Sequence, residues 1–380
     1  MNRHVATQFL SVFAVGSAVT CWYFFPNKGL YATTVVEWVL FILQSIIVPN
    51  AFLSLLTAVL LLPGRQLKSM ASCFFKSILL LWFVVTATLF SLWYVFSKAS
   101  LQALMWPTFT ADKIGLVILV PIAMVMSVTL GVGIVLTPSL HFLKPRIASL
   151  QQKVSYLFES VYLLIPIMVF FVTLEFLHCA ELDMTQFVMK YFFLSLSYVC
   201  VMNLFIFPLL YRYFIDVRFS DYVSLISPVV LMAFLAGDSI AAVPMISHAA
   251  DQFGQEDKSI SRIITMVVIC FPWIGELANL IFPIYIAILE QYDLSSVLSI
   301  LSVGPFFMFT DPYISIPSLL SVLNFSEAYQ VTYMTIALLT DHMFEVCEAI
   351  AALFVVIRLK MSLTQSDSVS DGLKVSPRSQ

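Results

Sequence analysis

The sequence predicts an all-α polytopic membrane protein with eight transmembrane helices and two re-entrant helical hairpins. Hydrophobic residues make up 61% of its 380 residues and charged residues 11%, whereas a soluble domain carries roughly a quarter charged residues. Apolar runs of about 20 residues, each long enough to cross a bilayer as a helix, recur from end to end. Backbone groups in lipid must be satisfied internally, and the alternating pattern of a membrane barrel is absent from the sequence. We therefore expect helices throughout.

Eight apolar segments are predicted to cross the membrane as single helices. They are about Phe9–Phe25, Val35–Leu62, Cys73–Phe96, Ile114–Leu136, Phe158–Leu177, Val188–Phe207, Ile260–Leu289 and Tyr329–Leu359. Because Arg3 and His4 precede the first segment, it could be a signal peptide. No small-residue cleavage site follows it, so we expect a retained first span.

Two further apolar segments, about Tyr222–Ala250 and Leu294–Leu323, are interrupted. Each has a short polar tip and nearby prolines, which remove a backbone donor and bend a helix. These prolines are Pro228 and Pro244 in the first segment and Pro305, Pro312 and Pro317 in the second. The segments are either two proline-kinked spans or a pair of re-entrant hairpins. Paired broken segments indicate the binding site of a transporter.

The distribution of lysine and arginine predicts the topology. If the N-terminus is cytoplasmic and both interrupted segments return to the side they entered from, 15 of the 19 basic residues are cytoplasmic. The positive-inside rule favours this arrangement. We expect a multi-pass protein of the plasma (inner) membrane with both termini cytoplasmic and a disordered tail over Ser362–Gln380. The net charge of −3 gives no indication of a nucleic-acid partner.

Acidic residues within apolar sequence are the candidate functional groups. Asp238 and Asp311 lie at the predicted hairpin tips, and Asp341, Glu345 and Glu348 share one face of the last span. A carboxylate at membrane depth is costly, and such groups mark routes for ions or solutes. The acidic face of the last span suits cation coordination or proton carriage. The alternative is that this stretch lies near a helix end and is in contact with water. Each tip aspartate could instead cap the half-helix that follows it.

Four segments resemble those of one transporter family, in its order and with roughly its spacing. VEWVLFILQSIIVPNAFLSLLTAVLLLPGRQLKSM looks like that family's second span with its basic turn, and FESVYLLIPIMVFFVTLE looks like its fifth span. SPVVLMAFLAGDSIAAVPMISHAADQFG and LSVGPFFMFTDPYISIP resemble its first and second hairpins. Over about Val35 to Lys360 the chain therefore resembles the dicarboxylate/amino acid:cation symporters, which include the glutamate transporter homologues.

The chain departs from this family in the seventh span. The family's Asn-Met-Asp-Gly-Thr motif, which helps to hold sodium, is replaced within FPWIGELANLIFPIYIA. Pro272, Gly275 and Pro283 could still break this helix. Glu276 and Asn279 could supply oxygens to an ion or to a substrate.

The chain also departs from the family in the eighth span. Asp341 and Glu345 match the first two acids of the family's motif, but no arginine follows until Arg358. The family uses the missing arginine to grip the side-chain carboxylate of its substrate. We therefore expect a neutral amino acid to be transported better than glutamate or aspartate.

The resemblance implies a homotrimer that works by an elevator-like mechanism. The scaffold would consist mainly of residues 1–72 and 114–180, and the transport domain mainly of 73–96 and 188–360. The hairpins would cover about 222–250 and 294–323, within a membrane domain of residues 1–361. The second hairpin would form the outer gate.

The predicted function is sodium- or proton-coupled symport of a small amino acid or dicarboxylate. The predicted substrate-binding residues are Gly237, Asp238, Ser239, Phe309, Thr310, Asp311, Glu345 and Glu348. The predicted cation-binding or coupling residues are Glu276, Asn279, Asp341 and Glu345. We expect membrane lipid as a partner, no cofactor, no metal site and no enzymatic activity, since no nucleophile–base pair or metal-ligand cluster is evident. The alternatives are a degenerate homologue that acts as a sensor or binding partner, and a passive ion conductor.

Overall fold

The computed structural model describes residues 67–96, 115–140, 142–161, 184–237, 239–253, 258–292, 294–309 and 311–374, with isolated residues at 13–60 and 170–171. The predicted spans Phe9–Phe25, Val35–Leu62 and Phe158–Leu177 lie mostly outside these residues. So do Asp238 and Thr310. The described residues contain no β-strand, and the prediction of an all-α protein is confirmed.

Thirteen α-helices lie within the described residues. They are α1 (Leu67–Phe96), α2 (Gly115–Leu136), α3 (Leu143–Val161), α4 (Met184–Val201), α5 (Phe207–Phe214), α6 (Phe219–Ala236), α7 (Val243–Ala250), α8 (Lys258–Val268), α9 (Ile274–Ala278), α10 (Ile281–Leu289), α11 (Leu294–Phe307), α12 (Pro312–Val322) and α13 (Glu327–Lys374).

Two stretches of helix, Met70–Phe96 and Gln186–Phe214, are long and apolar enough to cross a membrane. They contain the predicted spans Cys73–Phe96 and Val188–Phe207. Both expose large apolar side chains, such as Phe83 at 71%. The second stretch joins α4 to α5 through a π-helical turn, in which Phe207 donates to the Met202 carbonyl. Pro208 follows directly and has no N–H to continue the regular ladder.

Both interrupted segments consist of two helices with a break between them. Pro244 and Pro312 lie at the helix starts that follow the breaks, whereas Pro228, Pro305 and Pro317 lie inside helices. α6 ends at Gly237, which has a φ of 58° and so occupies the left-handed region that glycine tolerates. A 3₁₀ turn, Ser239–Ala242, then leads into α7. In the second segment, α12 begins at Pro312 directly after the break. The two helices of each segment contact one another. Their return to the same side of a membrane stays a prediction.

The predicted seventh span is also broken. α8 ends at Val268, α9 begins at Ile274, and α10 begins at Ile281. At the first break Trp273 has φ −106° and ψ −144°, which is not a helical conformation. A break in this span is therefore confirmed; Pro272 lies at it, whereas Gly275 lies within α9 and Pro283 within α10.

The long helix α13 lies at the centre of the described bundle. It contacts α1, α4, α6, α7, α8, α9 and α12, and every residue from Val346 to Ile357 is buried. The helix continues through Lys374. It therefore runs into the segment from Ser362 for which the sequence predicts disorder.

Candidate functional site

Glu348 caps the break in the seventh span from a different helix. It lies on α13 with 2% of its surface exposed. Its Oε1 accepts a hydrogen bond from Trp273 N at 3.0 Å. Its Oε2 accepts from Gly275 N at 2.9 Å and Glu276 N at 3.0 Å. A helix start leaves backbone N–H groups without partners, and this one carboxylate satisfies three of them.

Gly275 allows this contact because it has no side chain. A Cβ built at Gly275 would lie 2.1 Å from the Phe344 carbonyl oxygen and 2.6 Å from Glu348 N. Real Cβ atoms do not approach backbone so closely. The start of α9 thus rests directly on the backbone of α13, within reach of the Glu348 carboxylate.

Side chains from other helices, and that of Trp273 itself, satisfy the carbonyls near the same break. Trp82 of α1 donates from Nε1 to the Pro272 carbonyl at 3.0 Å. Tyr198 of α4 donates to the Ile274 carbonyl at 3.4 Å, and Trp273 Nε1 donates to the Val268 carbonyl at 2.8 Å. Because buried backbone groups need partners, these bonds allow a non-helical stretch inside an apolar bundle.

Glu345 lies one turn before Glu348 and contacts the tip of the first interrupted segment. Its Oε2 accepts from Ser239 N at 2.6 Å, at the start of the 3₁₀ turn that leads into α7. Ser239 is 7% exposed. The structure thus brings together the predicted site residues Ser239 and Glu345, through backbone rather than through the serine hydroxyl.

Asp311 caps the second interrupted segment from within. Its Oδ1 accepts from Tyr313 N at 2.9 Å in the first turn of α12. This is the N-cap role that the sequence offered as one of two alternatives. Nearby, the ring of Phe309 packs edge-on against Trp82 and Phe271 at 6.0 and 5.9 Å. A role for Asp311 and Phe309 in substrate binding stays a prediction.

Glu276 is the acid of the cluster whose carboxylate is not fully bonded. Its Oε2 is buried and has no hydrogen-bond partner among the described residues. Four other acids lie within electrostatic range of it. They are Asp311, Asp341, Glu345 and Glu348. Acidic side chains of α9, of the second interrupted segment and of α13 therefore lie near one another in the bundle.

Asn279 lies one turn after Glu276 and orders this region. Its Nδ2 donates to the Glu276 carbonyl at 3.2 Å. Its Oδ1 accepts from the buried Tyr333 hydroxyl of α13 at 2.7 Å. Asn279 therefore links the backbone of Glu276 to α13.

His342 has a structural contact. Its Nδ1 lies 2.7 Å from the Phe234 carbonyl, to which it donates. Phe234 is near the end of α6, so this bond ties the first interrupted segment to α13 beside the Glu345–Ser239 contact.

Sequence reasoning missed a set of three buried hydroxyls and one buried ion pair. The hydroxyls of Tyr191, Ser195 and Thr340 are buried between α4 and α13. Tyr191, Ser195 and Tyr198 are separated by four and three residues, which is about one helical turn each. This spacing could have identified a polar stripe on one face of α4. Lys360 is one of the basic residues that the predicted topology places on the cytoplasmic side. Its side chain is 1% exposed, and its Nζ lies 3.3 Å from Asp251 Oδ1.

Comparison of the chain with known protein families found no matching family, and comparison with characterised proteins found no related sequence. Within the described residues, no group of three or more His, Cys, Asp and Glu side chains could hold a metal ion. The symporter resemblance therefore rests on the sequence motifs alone.

Proposed function

We propose that this protein is a cation-coupled secondary transporter of the dicarboxylate/amino acid:cation symporter type that carries a small, preferably neutral amino acid. The observation that supports this best is Glu276, whose buried and unbonded carboxylate oxygen lies among four other acids. Neighbouring carboxylates repel one another unless a positive charge or a proton compensates. A bound cation, a proton or the amino group of a substrate would supply that compensation.

The surroundings of Glu276 also support transport. Three broken apolar segments surround the acidic face of α13, and non-helical backbone at membrane depth is tolerated only inside protein or beside a watery cavity. The outer faces of α1 and α4 are apolar, with Phe83 and Phe193 exposed at 71% and 56%. Such surfaces suit lipid. A membrane bundle with an ionisable interior is the arrangement in which secondary transporters bind ions and substrates.

The surroundings of Arg358 support a neutral substrate. Its Nη1 donates to the Ser77 hydroxyl at 3.2 Å, and its guanidinium lies over the Phe214 ring at 4.7 Å. It lies ten residues beyond Glu348 on α13 and contacts α1 and α5. This arginine is therefore committed elsewhere, and the acidic cluster would repel a second carboxylate on a substrate.

The remaining features of the proposal follow from the resemblance. They are a homotrimer in the inner membrane, an elevator-like movement of the transport domain and gating by the second hairpin. Sodium or a proton would be the coupling ion, since the cluster is built from oxygens that suit either.

The test is uptake by purified protein in liposomes. Radiolabelled neutral amino acids, glutamate and aspartate are supplied under an inward sodium gradient, an inward proton gradient or neither. We expect saturable uptake of a neutral amino acid under one gradient, and loss of that uptake in Glu276→Gln. Glu290→Gln is the matched control, because Glu290 is exposed and outside the cluster. Saturable aspartate uptake that neutral amino acids do not compete with would refute the substrate preference.

A specific observation favours the degenerate homologue as a second candidate. The carboxylates of Glu345 and Glu348 bond to backbone N–H groups, which is a structural use of two of the three acids on α13. A protein that kept these acids only for its fold would bind solutes without moving them. It would show a substrate-dependent thermal shift but no uptake under any gradient, and Glu276→Gln would leave its phenotype intact.

A further inference from the structure

The helix α3 differs in character from the apolar helices α1 and α2. Its sequence contains three basic residues, Lys144, Arg146 and Lys153. It is not among the described helices that are long and apolar enough to cross a membrane. A 3₁₀ turn at Pro138–Leu140 separates it from the end of α2. A helix of this composition, next to an apolar one, fits the surface of a membrane better than its interior.

One face of α3 packs against the rest of the protein. Leu143 and Ile147, one turn apart, contact a small core cluster that includes Leu56 and Ile134. Ile134 belongs to the last turn of α2. Val154 lies on the same face two turns after Ile147 and is half-buried. This face attaches α3 to the end of α2 and leaves the adjoining face of the helix open.

The adjoining face presents apolar and basic side chains together. Leu150 and Leu157 are both 51% exposed, and Arg146 and Lys153 are exposed as well. These four residues are separated by four, three and four positions, so they form one stripe along the helix. Phe142, just before α3, is 57% exposed, and the Arg146 guanidinium lies 5.8 Å from the centroid of its ring. We call these five residues the α3 stripe.

The positive charges of the α3 stripe are not neutralised by the part of the chain that the structure describes. Neither Arg146 nor Lys153 pairs with a described acid. Arg212 and Arg218, by contrast, each pair with an aspartate three or four residues later, at 2.9 and 3.2 Å. A second copy of the α3 stripe facing the first would add like charges. The complementary partner is therefore negatively charged and has apolar groups of its own.

An anionic phospholipid has both properties. Lysine and arginine side chains lay their aliphatic stems along apolar surface while their charged ends reach outward. The cytoplasmic leaflet is negatively charged and attracts basic segments, and the predicted topology places Arg146 and Lys153 on that side. We propose that the α3 stripe binds anionic phospholipid at the membrane surface. Arg146 and Lys153 contact the headgroup phosphates, and Phe142, Leu150 and Leu157 enter the acyl boundary.

This inference rests on the membrane location of the protein and not on transport. The apolar faces of α1 and α4 support that location. Loss of uptake in liposomes with an intact response to anionic lipid would remove the proposed transport function and keep the α3 stripe as a lipid site.

The experiment is thermal unfolding of the full chain in detergent, titrated with phosphatidylglycerol or with phosphatidylcholine of the same acyl chains. A ligand that binds only the folded state raises the midpoint with concentration. We expect a saturable rise that is larger for phosphatidylglycerol. Arg146→Gln with Lys153→Gln should need about tenfold more phosphatidylglycerol for half the rise, because each basic residue near an anionic surface strengthens binding several-fold.

Two further variants separate this site from general charge attraction. Arg212→Gln with Arg218→Gln removes the same charge from other exposed positions. It should keep the phosphatidylglycerol response, because those arginines are already paired. Leu150→Ser with Leu157→Ser keeps every charge and should weaken the response, because the acyl chains lose their apolar contacts. Both leucines are half exposed, so this variant should fold like the wild type.

Four outcomes would overturn the proposal. Equal responses of the wild type to the two lipids would exclude selection of an anionic headgroup. Equal losses in the two arginine and lysine double variants would reduce the effect to net charge. A rise of the same size with inorganic phosphate would indicate a site for a soluble anion. Dissociation of an oligomer in the Leu150→Ser, Leu157→Ser variant, with the lipid response unchanged, would show that a second copy of the chain covers the stripe.

Discussion

The breaks of the two interrupted segments are stabilised by different kinds of partner, one distant in sequence and one local. In the first, Ser239 at the tip donates to Glu345 on another helix, 106 residues away in sequence. In the second, Asp311 caps α12 through Tyr313, two residues away. The first tip is thus bonded to a residue of α13, whereas the second contains its own cap. The break in the seventh span follows the first pattern, because Glu348 caps it from α13.

This difference predicts that some substitutions affect the stability of one segment only, whereas others affect the packing of the segments against α13. Loss of a cap within one segment should loosen that segment alone. Loss of a carboxylate on α13 should loosen the contact between two elements and leave buried N–H groups unpaired. The predictions below test this contrast.

The largest effect is expected for Glu348→Ala. It leaves three buried N–H groups of the α9 break without an acceptor, and breaking a buried charged network costs about 3–5 kcal/mol. Thermal unfolding in detergent measures the loss. Glu348→Gln keeps one acceptor oxygen and should lose less. A variant Glu348→Ala that unfolds like the wild type would show that the cap from α13 does not stabilise the break.

Gly275→Ala should come next. The added Cβ would contact the backbone of Phe344 and Glu348, and overpacking of this kind costs about 3 kcal/mol. Gly133→Ala in α2 is the matched control, because nothing lies within 4 Å of its Cβ position. There alanine should be neutral or stabilising by up to about 1 kcal/mol. Similar midpoints for both variants would contradict the direct packing of α9 on α13.

Lys360→Met tests the anchor at the other end of α7. Lys360 is 1% exposed and pairs with Asp251, which is 20% exposed and also accepts from Ser261. Because water and Ser261 still reach Asp251, we expect a loss of about 2 kcal/mol, less than for a fully buried pair. Adding Asp251→Leu should restore part of it. A double variant that is less stable than Lys360→Met would show that the pair is not the source of the loss.

The smallest effect contrasts the two tips directly. Asp311→Ala should cost about 1 kcal/mol and raise hydrogen–deuterium exchange in α12 only. Glu345→Ala should cost a similar amount but raise exchange in α7 and in the facing turn of α13. If Glu345→Ala affects α7 alone, the two caps are equally local and the contrast fails.

Much of the site could be predicted from sequence because helical spacing is a local property. The shared face of Asp341, Glu345 and Glu348 follows from their separations of four and three residues. The break near Gly275 follows from proline chemistry, and the N-cap of Asp311 is one of the two roles expected for an aspartate before a half-helix.

The partners of these groups could not be predicted in the same way. Glu348 bonds to backbone 72 to 75 residues away, and a backbone N–H has no signature in the sequence. Whether a carboxylate binds an ion or caps a break depends on which backbone the fold brings to it. For the same reason the hydroxyls of Tyr191 and Thr340, from helices far apart in sequence, could not be paired in advance.

The unbroken length of α13 has a mechanical consequence. Its 48 residues span about 72 Å at 1.5 Å per residue, more than twice the roughly 30 Å hydrocarbon core of a bilayer. If its acids lie at membrane depth, the helix must project well past one face. From Glu345 to Lys374 the lever arm is about 43 Å. A tilt of about 5° at the acids would then give a sweep of about 4 Å at the far end, so in that placement a small rearrangement around the carboxylates would displace the end of the helix in the aqueous phase.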